Sequence, residues 1–149
     1  MTNRGRFGIV LTHTGARNRM LEMPWAESHL RIHQSDSLIL SADGWRAAAD
    51  GDAVVWDGME RRLLISFYAN PPAVIAIVGH PCGREGPDAR VRGREEVRRL
   101  VRRIRSLMLP APTLGFWTDA NGSLEGRVEV WDPIEQSVAG FSRTPDPAA

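Results

Sequence analysis

The sequence predicts an α/β domain with three layers, in which helices flank a mainly parallel β-sheet that carries an antiparallel edge. The strongest observation is an apolar, β-branched run at residues 73–78, since such a run is typical of a strand buried on both faces. Strand and helix patterns also alternate along most of the chain, which favours parallel strands. The length of 149 residues suits one domain. We expect a core over 7–132, with frayed ends at 1–6 and 144–149.

The first half of the chain contains two predicted strands and two predicted helices before that central run. Asp57 is expected to cap the second helix, and Pro71 and Pro72 are expected to end it. In chain order the elements are a strand over 7–12, a helix over 25–33 inside the ambiguous segment 18–34, a short strand over 37–41 closed by a turn at 42–45, and a helix over 58–69.

The second half contains the clearest predicted helix, over 94–108, after a loop at 83–93. One side of this helix is apolar and the opposite side carries arginines, which is the pattern of a helix packed on a sheet. The apolar stripe consists of Val97, Leu100, Val101, Ile104, Leu107 and Met108. Strands over 113–118 and 127–131, separated by an Asn121-Gly122 turn signal, complete the sheet.

Composition excludes several functional classes. All nineteen basic residues are arginines, so lysine-dependent chemistry such as a Schiff base or a P-loop is excluded. The single cysteine excludes an internal disulfide framework and fits a reducing compartment, so we expect a cytoplasmic protein. No segment approaches the roughly 20 apolar residues of a membrane helix. The net charge of +1, and the apolar stripe beneath the basic helix, favour a packed helix over nucleic-acid binding.

Three short motifs occur in a fixed order along the chain. His13 begins a His-Thr-Gly-Ala-Arg segment, the central strand leads into Gly-His-Pro-Cys-Gly over 79–83, and Gly-Phe-Trp-Thr-Asp over 115–119 precedes the late turn. This order resembles the β-class carbonic anhydrases over residues 7–132. In that family the corresponding motifs are Cys-x-Asp-x-Arg, Gly-His-x-x-Cys-Gly and Gly-Trp-hydrophobic-x-Asp. Here a histidine replaces the first cysteine, Gly15 replaces the aspartate, and the second motif is one residue shorter.

The resemblance implies a zinc site formed by His13, His80 and Cys82. Ligand sites in open α/β sheets lie at the carboxyl ends of strands, and a catalytic zinc takes three protein ligands with one position left open. His80 and Cys82 are two residues apart, which places them on one face of an extended segment. The alternative is that Cys82 is a small buried apolar residue and His80 a hydrogen-bonded strand cap.

With zinc bound, the resemblance implies hydration of carbon dioxide to bicarbonate. Arg17 matches the family arginine, and Asp43 is the nearest replacement for the family aspartate that helps to orient the reacting water. The alternatives are a structural salt bridge for Arg17 and an ordinary turn aspartate for Asp43. His29 and His33 are spaced to share a helix face as a second metal site, but they lack a third donor.

Two functions therefore remain open. The first is a zinc-dependent lyase whose substrate and product are carbon dioxide and bicarbonate. The second is a carbonic anhydrase-like protein that has lost the metal and acts as an oligomeric binding or regulatory module. In both cases we expect a homo-oligomer, a dimer or larger, because a small domain with a parallel sheet and five tryptophans does not cover every sheet edge alone.

Overall fold

A five-stranded sheet forms the centre of the computed structural model, which describes residues 6–13, 32–81, 87–118 and 124–135. The strands are β1 (Arg6–His13), β2 (Ile32–Leu40), β3 (Val74–Gly79), β4 (Thr113–Thr118) and β5 (Leu124–Trp131). They lie in the order β2-β1-β3-β4-β5; the first four are parallel, and β5 is antiparallel to β4. The predicted α/β class, the mostly parallel sheet and its antiparallel edge are confirmed.

The apolar run that predicted this fold is the middle strand of the sheet. Every residue of β3 is buried, because β1 and β4 flank it and apolar side chains cover both of its faces. Ile75 and Ile77 belong to the larger of two apolar clusters, whereas Val74, Ala76 and Val78 belong to the smaller one. The alternation of side chains along a strand thus divides one continuous apolar run between two faces.

The described helices pack on one face of the sheet. They are α1 (Ala42–Asp50), α2 (Ala53–Ala69) and α3 (Pro87–Arg105). All three contribute buried side chains to the larger cluster, and the smaller cluster on the opposite face contains none of their residues. Among the described residues the helices therefore form a single layer, and the predicted third layer is not seen there. None of these helices is both long and apolar enough to cross a membrane.

Helix α1 replaces the turn predicted at 42–45, and that prediction is wrong. Ser41 caps the helix, because its Oγ accepts a hydrogen bond from the Gly44 backbone N–H at 3.0 Å. Gly51, with a φ of 93°, ends the helix in the left-handed conformation. Asp43 and Gly44 have the composition of a turn, but the burial of Trp45 against the sheet outweighs this local preference.

Helix α2 begins earlier than predicted, because Asp52 and not Asp57 caps it. The Asp52 carboxylate accepts a hydrogen bond from the Val55 backbone N–H at 3.0 Å, which satisfies one of the unpaired donors of the first turn. The predicted end of the helix is confirmed at Ala69. Asp52 and Asp57 have the same capping chemistry, so residue type alone does not distinguish the two positions.

Helix α3 also begins earlier than predicted, so the described part of the loop at 83–93 is helical from Pro87 onward. Strand β2 includes residues 32 and 33, which the predicted helix over 25–33 had claimed; the rest of that helix lies outside the described residues. His33 is therefore in a strand, where the spacing of four residues to His29 does not create a shared helix face. His29 itself lies outside the described residues.

Arginines on α3 pair with acidic residues of the neighbouring strand. Arg90 Nε lies 2.8 Å from Glu125 Oε2, and Arg102 Nη2 lies 3.4 Å from Glu129 Oε2; both acids are on β5. Such partly exposed pairs are worth little stability each. They do neutralise part of the positive charge of α3, so less of that charge is available to bind the phosphates of a nucleic acid.

Gly93 lies where α3 approaches the ring of Trp117 on β4. A Cβ atom at residue 93 would overlap with Cη2 and Cζ3 of that ring. Gly93→Ala is therefore expected to lower the free energy of unfolding by about 1–3 kcal/mol through overpacking, as measured by urea unfolding followed by circular dichroism. Gly58→Ala is the control, because nothing lies within 4 Å of the Cβ position at Gly58; in dilute solution it should unfold no more easily than the wild type. Equal stability of the two variants would contradict the close approach at Gly93.

Candidate functional site

The carboxyl ends of β1 and β3 bring His13 and His80 into contact. The two strands are parallel neighbours, so their ends meet at one edge of the sheet. The imidazole rings are stacked, with a centroid distance of 3.9 Å and an interplanar angle of 14°, and both residues are buried. Thr12 Oγ1 donates a hydrogen bond to the Val78 carbonyl at 2.9 Å, which ties the same strands together. The topology thus places two of the three predicted ligands side by side.

Two hydrogen bonds join each histidine to the backbone of the other. His80 Nε2 lies 2.8 Å from the His13 carbonyl oxygen. Because a carbonyl only accepts, His80 Nε2 carries the proton and its Nδ1 has a lone pair. The His80 backbone N–H donates to His13 Nε2 at 3.4 Å, which assigns the ring proton of neutral His13 to Nδ1. That buried Nδ1 has no hydrogen-bond partner within the part of the chain that the structure describes.

Both histidines are held in the neutral form. Burial, followed by the proximity of His80 and Arg46, lowers the pKa of His13 from 6.5 to about 3. Burial also lowers the pKa of His80, against the raising effect of its bond to His13. Neutral imidazole is the form that binds metal ions. A histidine with so low a pKa is poorly matched to proton transfer near pH 7.

A small cavity adjoins the pair, between the strand ends and helices α1 and α3. Its volume is about 10 Å³, which is room for about one water molecule. The His13 ring also contacts the Trp45 ring across this region, at a centroid distance of 4.6 Å. The side chains and backbone that line the cavity include His13, His80, Trp117, Trp45, Arg46, Gly93 and Glu96. A space of this size admits a water molecule or a single ion and excludes a metabolite.

Arg46 and Glu96 line the cavity although the sequence did not predict them as site residues. Both are half-buried, and both also border an open cleft of about 460 Å³ between α1 and α3. Burial raises the pKa of Glu96, and the charge of Arg46 opposes that shift. The sole sequence signal was that each charged residue adjoins a buried helix position, Trp45 or Val97, and this signal is common in packed helices.

Of the three remaining predicted site residues, Asp43, Arg17 and Cys82, the structure describes Asp43. Asp43 is exposed in the first turn of α1 and is not among the residues that line the cavity. Arg17 and Cys82 lie outside the described residues. Within the described ranges, no group of three His, Cys, Asp or Glu side chains is arranged to hold a metal ion.

The stacked arrangement does not fit one zinc ion held by both histidines. An imidazole nitrogen binds a metal through a lone pair that lies in the ring plane, and zinc requires each nitrogen within about 2.0–2.1 Å. Two ring planes whose centroids are 3.9 Å apart and which are inclined by 14° do not meet near the rings. Joint binding would therefore need one ring to rotate and to give up its hydrogen bond to the other residue.

No protein-family model matches the chain, and no curated protein is significantly similar to it in sequence. The function must therefore be inferred from the geometry of the site. That geometry consists of a stacked neutral histidine pair, a cavity for about one water molecule, and an arginine and a glutamate in the cavity wall.

Proposed function

We propose that this chain is a carbonic anhydrase-like protein that holds no zinc between His13 and His80, and that it acts as an oligomeric binding or regulatory module rather than as an enzyme. One observation carries the proposal, namely that each imidazole is hydrogen-bonded to the backbone of the other histidine. Stacking at 3.9 Å and the 2.8 Å bond from His80 Nε2 to the His13 carbonyl give the pair a structural role that needs no metal. The order of the three sequence motifs supports the family named in the proposal.

The charges around the cavity support the same proposal. Arg46 lines the cavity, and its positive charge already contributes to the low pKa of His13. Glu96 in the same wall carries the opposite charge, so the described lining has no net negative charge to attract a divalent cation into that space. Asp43 is exposed and does not line the cavity. It is therefore not placed to orient a water molecule beside the two histidines.

The zinc-dependent lyase that hydrates carbon dioxide is the second candidate. The buried His13 Nδ1, which lacks a hydrogen-bond partner among the described residues, favours it, because a buried polar atom without a partner is costly. Binding a metal through Nδ1 would move the ring proton to Nε2 and break the bond from the His80 backbone N–H. His13, His80 and Cys82 would be its ligands, and Arg17 and Asp43 would be its catalytic residues. Glu96 would be the carboxylate available beside the two histidines, because it lines the same cavity.

Zinc content and sensitivity to a chelator distinguish the two candidates. We expect protein purified without added metal to contain far less than one zinc per chain, with a thermal unfolding midpoint that EDTA does not change. His80→Ala is expected to lower the free energy of unfolding by about 1–3 kcal/mol, with or without EDTA, because it removes the stacked ring and leaves the buried His13 carbonyl without its side-chain donor. The control Gln34→Ala removes an exposed side chain from β2 and should change stability by less than about 0.5 kcal/mol.

A different set of results would instead support the zinc-dependent lyase. One zinc per chain that disappears in His80→Ala, together with carbon dioxide hydration above the uncatalysed rate, would establish the lyase. A zinc-loaded protein would also lose thermal stability on addition of EDTA, since a ligand that binds the folded state alone stabilises it.

A further inference from the structure

Helix α2 carries large apolar side chains on its outer side as well as on its buried side. Its inner side contributes Met59, Leu63 and Phe67 to the core. On the opposite side Val54 and Ile65 are 82% and 66% exposed. Large exposed apolar side chains that share one helix face mark a candidate interaction surface.

The outer residues of α2 form one stripe. Val54, Gly58, Arg61 and Ile65 are all exposed and follow each other at intervals of four, three and four residues, which is the spacing of a single helix face. Gly58 lies in the helix interior, where glycine costs about 0.5–1 kcal/mol relative to alanine. Nothing lies within 4 Å of its Cβ position, so contacts within the described chain do not explain it. The close approach of a second helix would.

We propose that this α2 stripe, Val54, Gly58, Arg61 and Ile65, binds the same stripe of a second copy of this chain, antiparallel and about a two-fold axis. The spacing of four, three and four reads the same in both directions. An axis between residues 59 and 60 therefore places Val54 opposite Ile65 of the second copy, and Gly58 opposite Arg61. Self-complementarity of this kind is what a two-fold interface requires.

Charge complementarity supports the same register. Asp57 lies beside the stripe on the same flank as Arg61, and a two-fold axis of this kind brings matching flanks together. It therefore places Asp57 of each copy near Arg61 of the other. The ion pairs of the described residues involve arginines of α3 and neither Asp57 nor Arg61. Two symmetric pairs at the rim would fix the register more than they would add affinity.

The inference deepens the oligomeric part of the proposed function, and sedimentation equilibrium of the full chain tests it. We expect a reversible dimer of the 16.5 kDa chain in the micromolar range. Ile65→Asp is expected to weaken association by at least about tenfold. Ile134→Asp is the matched control, because Ile134 is 71% exposed outside α2 and its replacement should leave the dimer unchanged. Circular dichroism would verify that both variants, which alter exposed side chains, retain the fold.

Charge reversal provides a second, independent test. Asp57→Arg alone should weaken the dimer, because it places arginines against one another. The double variant Asp57→Arg/Arg61→Asp should restore it, because each copy again presents opposite charges. A monomer at every concentration, equal weakening by the two isoleucine replacements, or absence of rescue would overturn the proposal. Zinc content affects none of these results, so failure here is distinct from failure of the metal-free function.

Discussion

Trp117→Ala is expected to lower the free energy of unfolding by about 3–5 kcal/mol, the usual cost of deleting a large buried aromatic side chain. Trp117 is 2% exposed and belongs to the larger core cluster. Its ring fills the space left by Gly79 on β3 and Gly93 on α3, so it joins the sheet to the helix. A domain is stable by only about 5–15 kcal/mol, so the urea midpoint followed by circular dichroism should fall steeply.

Trp56→Ala is the matched control for this effect. Trp56 on α2 is half-buried against the same cluster, and the Arg103 guanidinium lies 5.6 Å from the centre of its ring. Its removal should cost clearly less than removal of Trp117. In addition, Gly93→Ala combined with Trp117→Leu should cost less than the two single changes together, because the smaller side chain leaves room for the new methyl group. Additive losses would show that Trp117 and Gly93 are not in contact.

Acid is expected to destabilise the protein below pH 6.5, and His13 is the main reason. Its pKa in the folded chain is about 3 because it is buried beside His80 and Arg46, whereas in the unfolded chain its pKa is near the ordinary histidine value of 6.5. The unfolded state therefore takes up the proton first as the pH falls, so stability is present above 6.5 and is lost on the way down to about 3. Between about pH 8 and about pH 5, His13 alone should remove about 2 kcal/mol of the free energy of unfolding.

Neighbouring groups contribute to the acid effect with known signs. The lowered pKa of His80 acts in the same direction as that of His13. The raised pKa of Glu96 acts in the opposite direction, because the folded state then binds its proton first. Urea unfolding with EDTA present, at both pH values, should show a smaller loss for His13→Gln than for the wild type, by about 2 kcal/mol. An identical loss in both proteins would mean that His13 is not held neutral by the fold.

The strands were predictable because their hydrophobic patterns are local in the sequence. The edge at which their carboxyl ends meet then followed from their parallel arrangement. The run at 73–78 indicated a strand buried on both faces, and the rule that parallel strands end at one edge placed His13 beside His80. Helix α1 was missed because Asp43 and Gly44 are local turn signals, and the burial of Trp45 that overrides them is a tertiary effect. Ser41, a good helix cap, was the signal that could have indicated this helix.

The site was predictable only in part, for a related reason. Spacing along the chain fixes which residues become neighbours, but not how their rings turn or which atoms they bond. The stacking of His13 on His80, which decides against a shared ion, depends on two hydrogen bonds between side chains and backbone. Arg46 and Glu96 reach the cavity because α1 and α3 both lie over the strand ends, and no periodicity of either helix indicates that approach.

The ion pairs along β5 also affect how the protein behaves at high concentration. The outer side of an edge strand carries backbone groups that can template the addition of strands from other molecules. On β5, Glu125 and Glu129 hold arginines along the strand, Gly126 has a φ of 141°, and the pairing with β4 contains two irregularities of register. Charge and local distortion both discourage an incoming strand. Among the described residues the sheet therefore ends at an edge that is poorly suited to the addition of a further strand.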